Sequence, residues 1–507
     1  QASQQAGDWI HFSGDSQRLH WALGSQLYSH RLSLDMPQSE TPPEPSQARQ
    51  IGFQVAQDRP QGTVALVGGR LLTMGPQGEI ADGSVVIEGN RIVAIGPTAE
   101  VKIPQDARRV ELNGRTVLPG FVDTHAHGAQ AAAGIIPQRN WIDYARLAFG
   151  VTTIHDPSND THSIFAASEM ARAGVIVAPR TFSTGTILYG AAGANKAEID
   201  SLEDALFHLR RMQAVGAFSV KSYNQPRRDQ RQQVIAAARQ LGMMVVPEGG
   251  STLSHNLTMI VDGHTGIEHT LSVQTAYDDV FDLWRNTGVG YTPTLSVAYG
   301  GLAGEQYWYE VDDLWLHPRL QSFIPPHVLV PPSRRRNKAP REDYNHIRVA
   351  EIAQRVVAEG GLVQAGGHGQ LNGICTHWEM WSFVQGGMTP LQALRCGTLN
   401  GARYLGLDGD LGSLEVGKLA DLVVIEKGYD PALNIRHSER IDLVVANGRV
   451  FDARRMNAWG DPAPRDQFYW QRDGYGLSQR PAHSAGCSCQ RVGRRMGSAR
   501  WEGTSGW

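Results

Sequence analysis

Short apolar runs, each ending in polar or glycine-rich residues, recur along the middle of the chain. The eight runs are GFVDTHAH, VTTIHDP, VAPRTFSTG, FSVKSYN, MMVVPEGG, TGIEHT, GYTPTLSV and LVQAGGHG. Segments with helical periodicity, such as SLEDALFHLRRMQAVG and RDQRQQVIAAARQLG, lie between most of them. Eight strands that alternate with helices predict an α/β protein with a (β/α)8 TIM-like barrel. An open doubly wound sheet is the alternative, and polar residues at every strand end favour the barrel.

Strand patterns of another kind flank this region on both sides. GTVALVGGRLLTM, GSVVIEGNRIVAIG and RRVELNGRTVL precede it, punctuated by Gly-Asn and Asn-Gly turns, and ADLVVIEKG and IDLVVANGRVFDA follow it. Strands of one kind at both ends predict a single sheet. We therefore expect a small β-sandwich domain from residues 61–117 and 391–460, which encloses a barrel of residues 118–390.

The outer segments have weaker patterns. Residues 8–33 alternate apolar and polar positions around a Gly-Asp-Ser turn, which predicts a hairpin. This hairpin resembles part of one blade of a TolB-like β-propeller, and residues 37–50 have the composition of a linker. Residues 1–60 are thus expected to be a partial blade and linker. Residues 461–507 lack apolar periodicity and are expected to be a poorly structured tail.

One long proline-rich segment interrupts the barrel pattern. Residues 298–340 contain PPHVLVPPSRRRNKAP and exceed an ordinary loop between a strand and a helix. We interpret this segment as a lid over the site. Its run of three arginines predicts a solvated loop face, with a grip on an anionic substrate as the alternative.

Composition and charge exclude several classes of partner. Hydrophobic residues make up 41% of the 507 residues, and 47 basic against 50 acidic residues leave a net charge of −3. This balance selects neither nucleic acid nor an anionic membrane, and no apolar run reaches the roughly 18 residues of a membrane span. The four cysteines, Cys375, Cys396, Cys487 and Cys489, match no disulfide framework or zinc-ribbon spacing. We expect a small-molecule substrate and a homo-oligomer.

Polar side chains at the ends of the predicted strands are the candidate chemistry. His125 and His127 are one residue apart after a buried strand, so both imidazoles point to the same side. The other polar residues at strand ends are His155, Asp156, Lys221, Glu248, His269 and His368. In a barrel these ends meet in one pocket, and converging imidazole and carboxylate groups suit a catalytic zinc-type ion.

Lys221 is the unusual member of this set because it lies in an apolar strand. An unpaired ammonium would be costly to bury there. The side chain could pair with Glu248 or Asp156, act as a Schiff-base amine, or carry a modification that removes its charge. The sequence leaves these three possibilities open.

Together these residues resemble the amidohydrolase superfamily over residues 61–460. The motifs are GRTVLPGFVDTHAH, the lysine of FSVKSYN, DGHTGIEHT, and GGMTPLQALRCGTLNGARYLGLDGDLGSLEVGKLADLVVI with VVANGRVFDA. The chain is most similar to imidazolonepropionase-related and prolidase-type members. The resemblance implies that His125, His127 and His269 bind a divalent metal, one or two ions of zinc type. It also implies that Lys221 is carboxylated and bridges two metals.

Two positions depart from that pattern. Glu248 stands where strand five usually supplies a histidine, and His368 stands where strand eight usually supplies an aspartate. Both residue types can bind the same ions, and histidine can also act as a base near neutral pH. We therefore expect Glu248 and His368 to be both metal ligands and catalytic groups.

Weaker candidates surround this set. Tyr223, Tyr299 and His377 are expected to contact substrate, although aromatic packing is the alternative for the tyrosines. Tyr189, His255, His264 and Glu379 are further polar or aromatic neighbours, with Glu379 expected to support the ligands from behind. Thr389 and Pro390 predict a helix N-cap and first turn.

The resemblance predicts a metal-dependent hydrolase acting on an amide-type bond of a peptide, cyclic amide or N-acyl compound. The same site acting on a lactone, phosphotriester or glycoside is an alternative, and so is an inactive binding protein. The first residues, QASQQAGDWIHFSG, lack the pattern of a signal peptide. Resemblance to exported proteins with propellers nevertheless favours a periplasmic or secreted location.

Overall fold

Four antiparallel strands form a sheet near the N-terminus. The computed structural model describes residues 7–32, 48–460 and 464–472. The strands, paired in chain order, are β1 (Asp8–Phe12), β2 (Arg18–Leu23), β3 (Gln26–Arg31) and β4 (Ala48–Gln50). The predicted hairpin is present as β1 and β2. The linker prediction was wrong for residues 48–50, because these pair with β3. A propeller blade is also four-stranded, so the blade stays a prediction.

Strands dominate the next segment, and the chain then enters a mixed α/β body. The first group is β5 (Thr63–Leu72), β6 (Glu79–Glu88), β7 (Arg91–Pro97), β8 (Arg108–Glu111) and β9 (Thr116–Pro119). The body contains β10 (Phe121–Asp123), β11 (Val151–Asp156), β12 (Arg180–Ser183), β13 (Ile187–Tyr189), β14 (Lys196–Glu198), β15 (Ser219–Ser222), β16 (Met244–Pro247), β17 (Gly266–Glu268), β18 (Gly290–Thr292) and β19 (Leu362–Val363).

Helices separate most of these strands, including the two whose sequences are quoted above. The first six are α1 (Trp141–Ala148), α2 (Thr161–Arg172), α3 (Leu202–Ala214), α4 (Arg228–Leu241), α5 (Leu253–Asp262) and α6 (Asp278–Thr287). They are followed by α7 (Gly304–Val311), α8 (Pro318–Phe323), α9 (Pro326–Arg334), α10 (His346–Ala358), α11 (Ile374–Gln385), α12 (Pro390–Arg395) and α13 (Gly401–Tyr404). Thr389 is the N-cap of α12, as predicted, and its side chain accepts a hydrogen bond from Gln392 N.

The strands of the body form three parallel sheets. Their orders are β10-β11-β12, β14-β13-β15-β16 and β17-β18-β19. Further backbone hydrogen bonds connect neighbouring sheets: Thr124 N donates to Ala365 O at 2.9 Å, and Thr265 N donates to Val245 O at 3.0 Å. Among the described residues, the ladders do not close into one hydrogen-bonded ring. The α/β prediction is confirmed at this level.

One sheet combines strands from both sides of the α/β body. Its last members are β20 (Leu422–Ile425), β21 (Ile441–Ala446) and β22 (Arg449–Asp452). The order is β22-β21-β20-β9-β5-β6-β7, with β8 also paired to β5. Buried side chains from both sides, such as Leu66, Val117, Leu422 and Val445, share one core. Because β10 follows β9 after one residue, this sheet fixes where the first strand of the body begins.

The segment interpreted as a lid folds into helices. Helices α7, α8 and α9 occupy most of residues 298–340, and Leu320, Phe323 and Leu329 are buried. Arg336 donates to the carbonyl oxygens of Tyr309 and Asp312 at 3.0 Å. This segment is therefore a packed helical insertion, and its interpretation as a lid over the site stays a prediction.

A few further features complete the description. Cys375 and Cys396 are buried free thiols, whereas Cys487 and Cys489 lie outside the described residues. Residues 467–472 contain a single 3-10 turn at Tyr469–Gln471. In the described part of the chain, every helix is too short or too polar to cross a bilayer.

The Tyr404 side chain packs directly against the backbones of β17 and β18. It is buried, and its hydroxyl donates to Glu268 Oε1 at 2.8 Å. A Cβ on Gly266 would lie 2.2 Å from that hydroxyl oxygen, and a Cβ on Gly290 would lie 2.4 Å from the ring. Both strands therefore need glycine at their first position.

We expect Gly266→Ala to destabilise the protein by about 1–3 kcal/mol, the usual cost of overpacking a core. The tyrosine cannot move aside without breaking its hydrogen bond to Glu268. Denaturant unfolding would measure the change. Gly409→Ala is the matched control, because a Cβ there meets nothing within 4 Å. Equal stabilities of the two variants would contradict this account.

Candidate metal centre

His125 and His127 form the centre of the candidate site, directly beyond β10. Their Nε2 atoms lie 3.1 Å apart. On the far side of each ring, Nδ1 contacts a buried carboxylate. His125 Nδ1 lies 2.6 Å from Glu268 Oε2, and His127 Nδ1 lies 3.1 Å from Asp156 Oδ1. A carboxylate behind Nδ1 fixes the ring and leaves Nε2 as the ligand atom, as in many zinc sites.

His269 and His368 extend this pair to four imidazoles. Thr294 Oγ1 lies 2.8 Å from His269 Nδ1, and Gln370 Oε1 lies 3.0 Å from His368 Nδ1. The His368 ring stacks on His125 with centroids 5.1 Å apart, and its centroid lies 4.9 Å from that of His127 and 5.1 Å from that of His269. Each of the four rings is thus held through Nδ1.

Three of these rings fit a single metal ion. Ligand atoms of His125, His127 and His368 all lie within 4.8 Å of one another. Two imidazole nitrogens bound tetrahedrally at 2.0–2.1 Å from zinc would be roughly 3.4 Å apart, and the two Nε2 atoms of His125 and His127 are 3.1 Å apart. The donor set and its spacing therefore suit a zinc-type ion.

Burial favours the neutral form that a ligand needs. Burial, with a smaller effect from Lys221, lowers the pKa of His125 well below its ordinary value. Burial, with smaller effects from His127 and His269, lowers the pKa of His368 to about 3. Both rings are neutral near pH 7, and neutral imidazole is the metal-binding form.

Lys221 and Glu248 lie next to this group at the ends of β15 and β16. Lys221 Nζ is 2.5 Å from Glu248 Oε2, and His269 Nε2 is 2.9 Å from Glu248 Oε1. Burial would raise the pKa of Glu248, but Lys221 and His269 outweigh it and hold this pKa well below its usual value. Of the three possibilities for Lys221, this geometry corresponds to pairing with Glu248.

Tight backbone geometry places His368. Its φ is 62°, in the left-handed region, and its N–H donates to His125 O at 2.7 Å. A Cβ on the following Gly369 would lie 2.1 Å from His127 O. The glycines of GGHG therefore allow the segment after β19 to approach the backbone of His125 and His127 closely. Strained non-glycine residues of this kind concentrate at functional sites.

Two acidic residues of the site are absent from the sequence-based candidates. Asp123 accepts hydrogen bonds from His125 N, Gly367 N and Thr376 Oγ1, so it ties β10 to the loop after β19. Glu268 supports His125, and burial raises its pKa to about 8. Each is adjacent or nearly adjacent to a candidate histidine in FVDTHAH and GIEHT, a signal that could have identified them.

The tyrosine candidates lie around this group. The Tyr299 ring stacks on His269 with centroids 5.9 Å apart, and Tyr299 is 37% exposed. The Tyr223 ring contacts Tyr189, and the Lys196 ammonium lies 4.3 Å and 4.4 Å from the two ring centroids. Aromatic packing is therefore present at both tyrosine candidates, and a cation lies against the Tyr223 ring.

His377 is not at the site, which corrects its prediction as a substrate contact. It is fully buried on α11, where Nδ1 lies 2.8 Å from Ser438 Oγ and Nε2 lies 2.8 Å from Phe149 O. Glu379 lies two residues further along α11, where it accepts a hydrogen bond from Leu295 N at 2.7 Å and so supports the loop that carries Thr294.

The remaining histidines have structural partners or lie apart from the metal group. His155 is buried between Thr124 O and Ser219 Oγ, and His264 is buried against Met259 O. His255 is packed beside Gly250. Their positions near strand ends therefore reflect packing.

The C-terminal part of the chain is similar to known proteins. Residues 370–451 match the model of the Amidohydrolase family. The adenine deaminase of Bradyrhizobium sp. strain BTAi1 is 38% identical over 73 residues, 14% of this chain and 12% of the deaminase. The imidazolonepropionase of Geobacillus sp. strain WCH70 is 41% identical over 68 residues, 13% of this chain and 16% of that protein. The chain thus spans less than a fifth of either relative's length.

Similarity of structure extends much further than similarity of sequence. The crystal structure of a Xaa-Pro dipeptidase with bound methionine aligns with a TM-score of 0.59 at 20% sequence identity. The alignment covers 77% of this chain and 100% of the dipeptidase. The chain has the fold of this dipeptidase. Together with the family match, this supports the resemblance to the amidohydrolase superfamily.

The buried state of His377 predicts a loss of stability in acid. Burial lowers its pKa to about 4, below the roughly 6.5 of an unfolded chain. Between these values the unfolded state binds more protons, so stability present above pH 6.5 is lost as the pH falls toward 4. We expect His377→Gln to unfold with a weaker dependence on pH over this range, measured by urea unfolding. His327→Gln, at an exposed position, is the control, and identical slopes in both variants would refute the assignment.

Proposed function

We propose that this protein is a metal-dependent hydrolase that cleaves an amide-type C–N bond with water. The observation that carries the proposal is the pair of facing Nε2 atoms of His125 and His127, each ring backed by a carboxylate. The match to the Amidohydrolase family and the fold of a dipeptidase support it. The proposed substrates are peptides, cyclic amides or N-acyl compounds.

The site is proposed to lie at one end of a (β/α)8 barrel. Its strands would be β10, β11, β12, β15, β16, β17, β18 and β19, in that order. The bonds from Thr124 to Ala365 and from Thr265 to Val245 support this order, because they link the first strand to the last and the fifth to the sixth. Candidate side chains beyond the strand ends would then face one pocket.

His125, His127 and His368 are proposed to bind the ion. A divalent ion held there would polarise the scissile carbonyl and make water a better nucleophile. His368 would thus act as a ligand. The nitrogen that binds the ion could not accept a proton at the same time, so His368 would not be the base. The His125 ring is fully buried, whereas the His127 side chain is 29% exposed, so water and substrate can reach the ion from that side.

Glu248 is proposed to move the proton. Its carboxylate is ionised beside Lys221 and His269, so it can accept a proton from the attacking water. The C–O bond forms as this proton leaves, and the same proton then passes to the departing nitrogen as the C–N bond breaks. Glu248 returns to its ionised state at the end of the cycle.

Tyr223 and Tyr299 are proposed to contact the substrate. Tyr299 stacks against His269 on one side, and Tyr223 follows Lys221 by two residues on the other. Two aromatic faces beside the carboxylate would hold the apolar part of a substrate near the scissile bond.

The proposal is tested by removing the first two ligands together. We expect purified wild-type protein to contain bound zinc-type metal and to hydrolyse members of a panel of peptides, N-acyl amino acids and cyclic amides. His125→Ala with His127→Ala should lose both metal and activity, measured by elemental analysis and product release. His327→Ala is the control at an exposed histidine. Stoichiometric metal in the double variant would reject the assigned site.

A graded variant tests the carboxylate behind His125. We expect Glu268→Gln to weaken metal affinity by about 10–100-fold, the usual effect of losing such a partner. The ring would keep its place, but a neutral amide would replace the carboxyl group that contacts its Nδ1. Competition with a chelator of known affinity measures the change. Glu169→Gln, at an exposed position on α2, is the control, and unchanged affinity in Glu268→Gln would show that this contact is only structural.

A further inference from the structure

We propose that this site holds one metal ion and an uncarboxylated Lys221, because Lys221, Glu248 and His269 form an ion-paired chain that takes the place of a second ion. This inference rests on the proposed function and departs from the two-metal arrangement that the family resemblance suggests. We call this chain of contacts the Lys-Glu-His chain.

The backbone fixes the first contact of the chain. Strands β15 and β16 are adjacent and parallel, and Glu248 N donates to Ser222 O at 3.1 Å. Lys221 and Glu248 therefore extend side by side, with Nζ 2.5 Å from Oε2. The Lys221 side chain is only 2% exposed and that of Glu248 is 15% exposed. A carboxyl group added to Nζ would meet the Glu248 carboxylate at this distance.

The second contact uses the remaining polar atoms. The other oxygen of Glu248 lies 2.9 Å from His269 Nε2, while His269 Nδ1 lies 2.8 Å from Thr294 Oγ1. Both oxygens of Glu248 and both nitrogens of His269 thus have protein partners. His269 could become a metal ligand only by giving up its contact with Glu248.

The charges of the buried groups distinguish an unmodified Lys221 paired with Glu248 from a carboxylated Lys221 with a second metal ion. An ammonium beside a carboxylate is a neutral, compensated pair, and compensation is what a buried ion requires. Carboxylation would change Lys221 from +1 to −1, and the site would then bury two anions in contact that need a second cation to compensate them, whereas the Lys221–Glu248 pair needs none. Like charges at such a distance oppose each other strongly. Glu248 therefore does two things: it removes the reason to carboxylate Lys221 and supplies an anion beside the metal group.

The remaining ligand set matches a single ion. Only His125, His127 and His368 bring ligand atoms within 4.8 Å of one another as a group of three in the described part of the chain. Three histidines with one open position form a common catalytic zinc site. The Lys-Glu-His chain lies beside this group, which suits a proton acceptor that does not bind the metal.

The experiment combines metal counting with detection of the modified lysine. Wild-type protein is reconstituted with excess zinc and 13C-bicarbonate, and bound metal is measured by elemental analysis after gel filtration. We expect one equivalent per chain and no 13C carbamate signal by NMR. Two equivalents, or a carbamate signal at any metal content, would overturn the inference and leave the proposed hydrolase intact. No metal at all would reject both.

Unfolding of variants tests the ion pair without reference to activity. We expect Lys221→Met and Glu248→Gln each to lower the denaturant midpoint, because each leaves a buried partner uncompensated. The double variant should be less destabilised than the sum of the two, since it leaves no unpaired charge. Additive effects would overturn the inference. Glu169→Gln and Lys196→Met, neither of which forms part of the chain, serve as controls, and their effects should be additive.

Discussion

Four adjacent imidazole rings need polar partners for their nitrogen atoms, and the rest of the structure depends on meeting this need. A buried ring with an unpaired nitrogen is costly, and four rings in contact would repel one another if protonated. The chain meets this constraint with a separate partner for each Nδ1: Glu268, Asp156, Thr294 and Gln370. These partners come from different strands and loops, so the placement of each depends on the fold around it. The geometry of the site therefore depends on the whole fold around it.

Local patterns were sufficient to predict much of this arrangement. The alternation of apolar runs with helical segments predicted the α/β body, since parallel strands buried on both faces are continuous apolar runs. The spacing of His125 and His127 predicted their shared side, because the side-chain period of an extended chain is two. The capping pattern at Thr389 predicted the start of a helix for an equally local reason.

What could not be predicted depends on contacts between distant residues. His377 resembles a site residue in sequence, but its position depends on Ser438 and Phe149, which no local pattern reveals. Glu268 was overlooked because an acidic residue within an apolar run has no fixed interpretation until its partners are known. The segment at 298–340 is rich in proline, yet Pro318 and Pro326 lie in the first turns of α8 and α9, where proline is well tolerated, and α9 also contains Pro331 and Pro332 in its interior.

The shared sheet has a consequence for how the chain folds. Strand β9 pairs with β5 on one edge and with β20 on the other, and these partners lie on opposite sides of the whole α/β body in sequence. During synthesis, β9 has an open edge until residue 425 has left the ribosome. Contacts of such long range slow folding, and an open strand edge is a template for pairing with other chains. The nascent protein is thus most prone to aggregation when its catalytic residues are already made but its last strands are not.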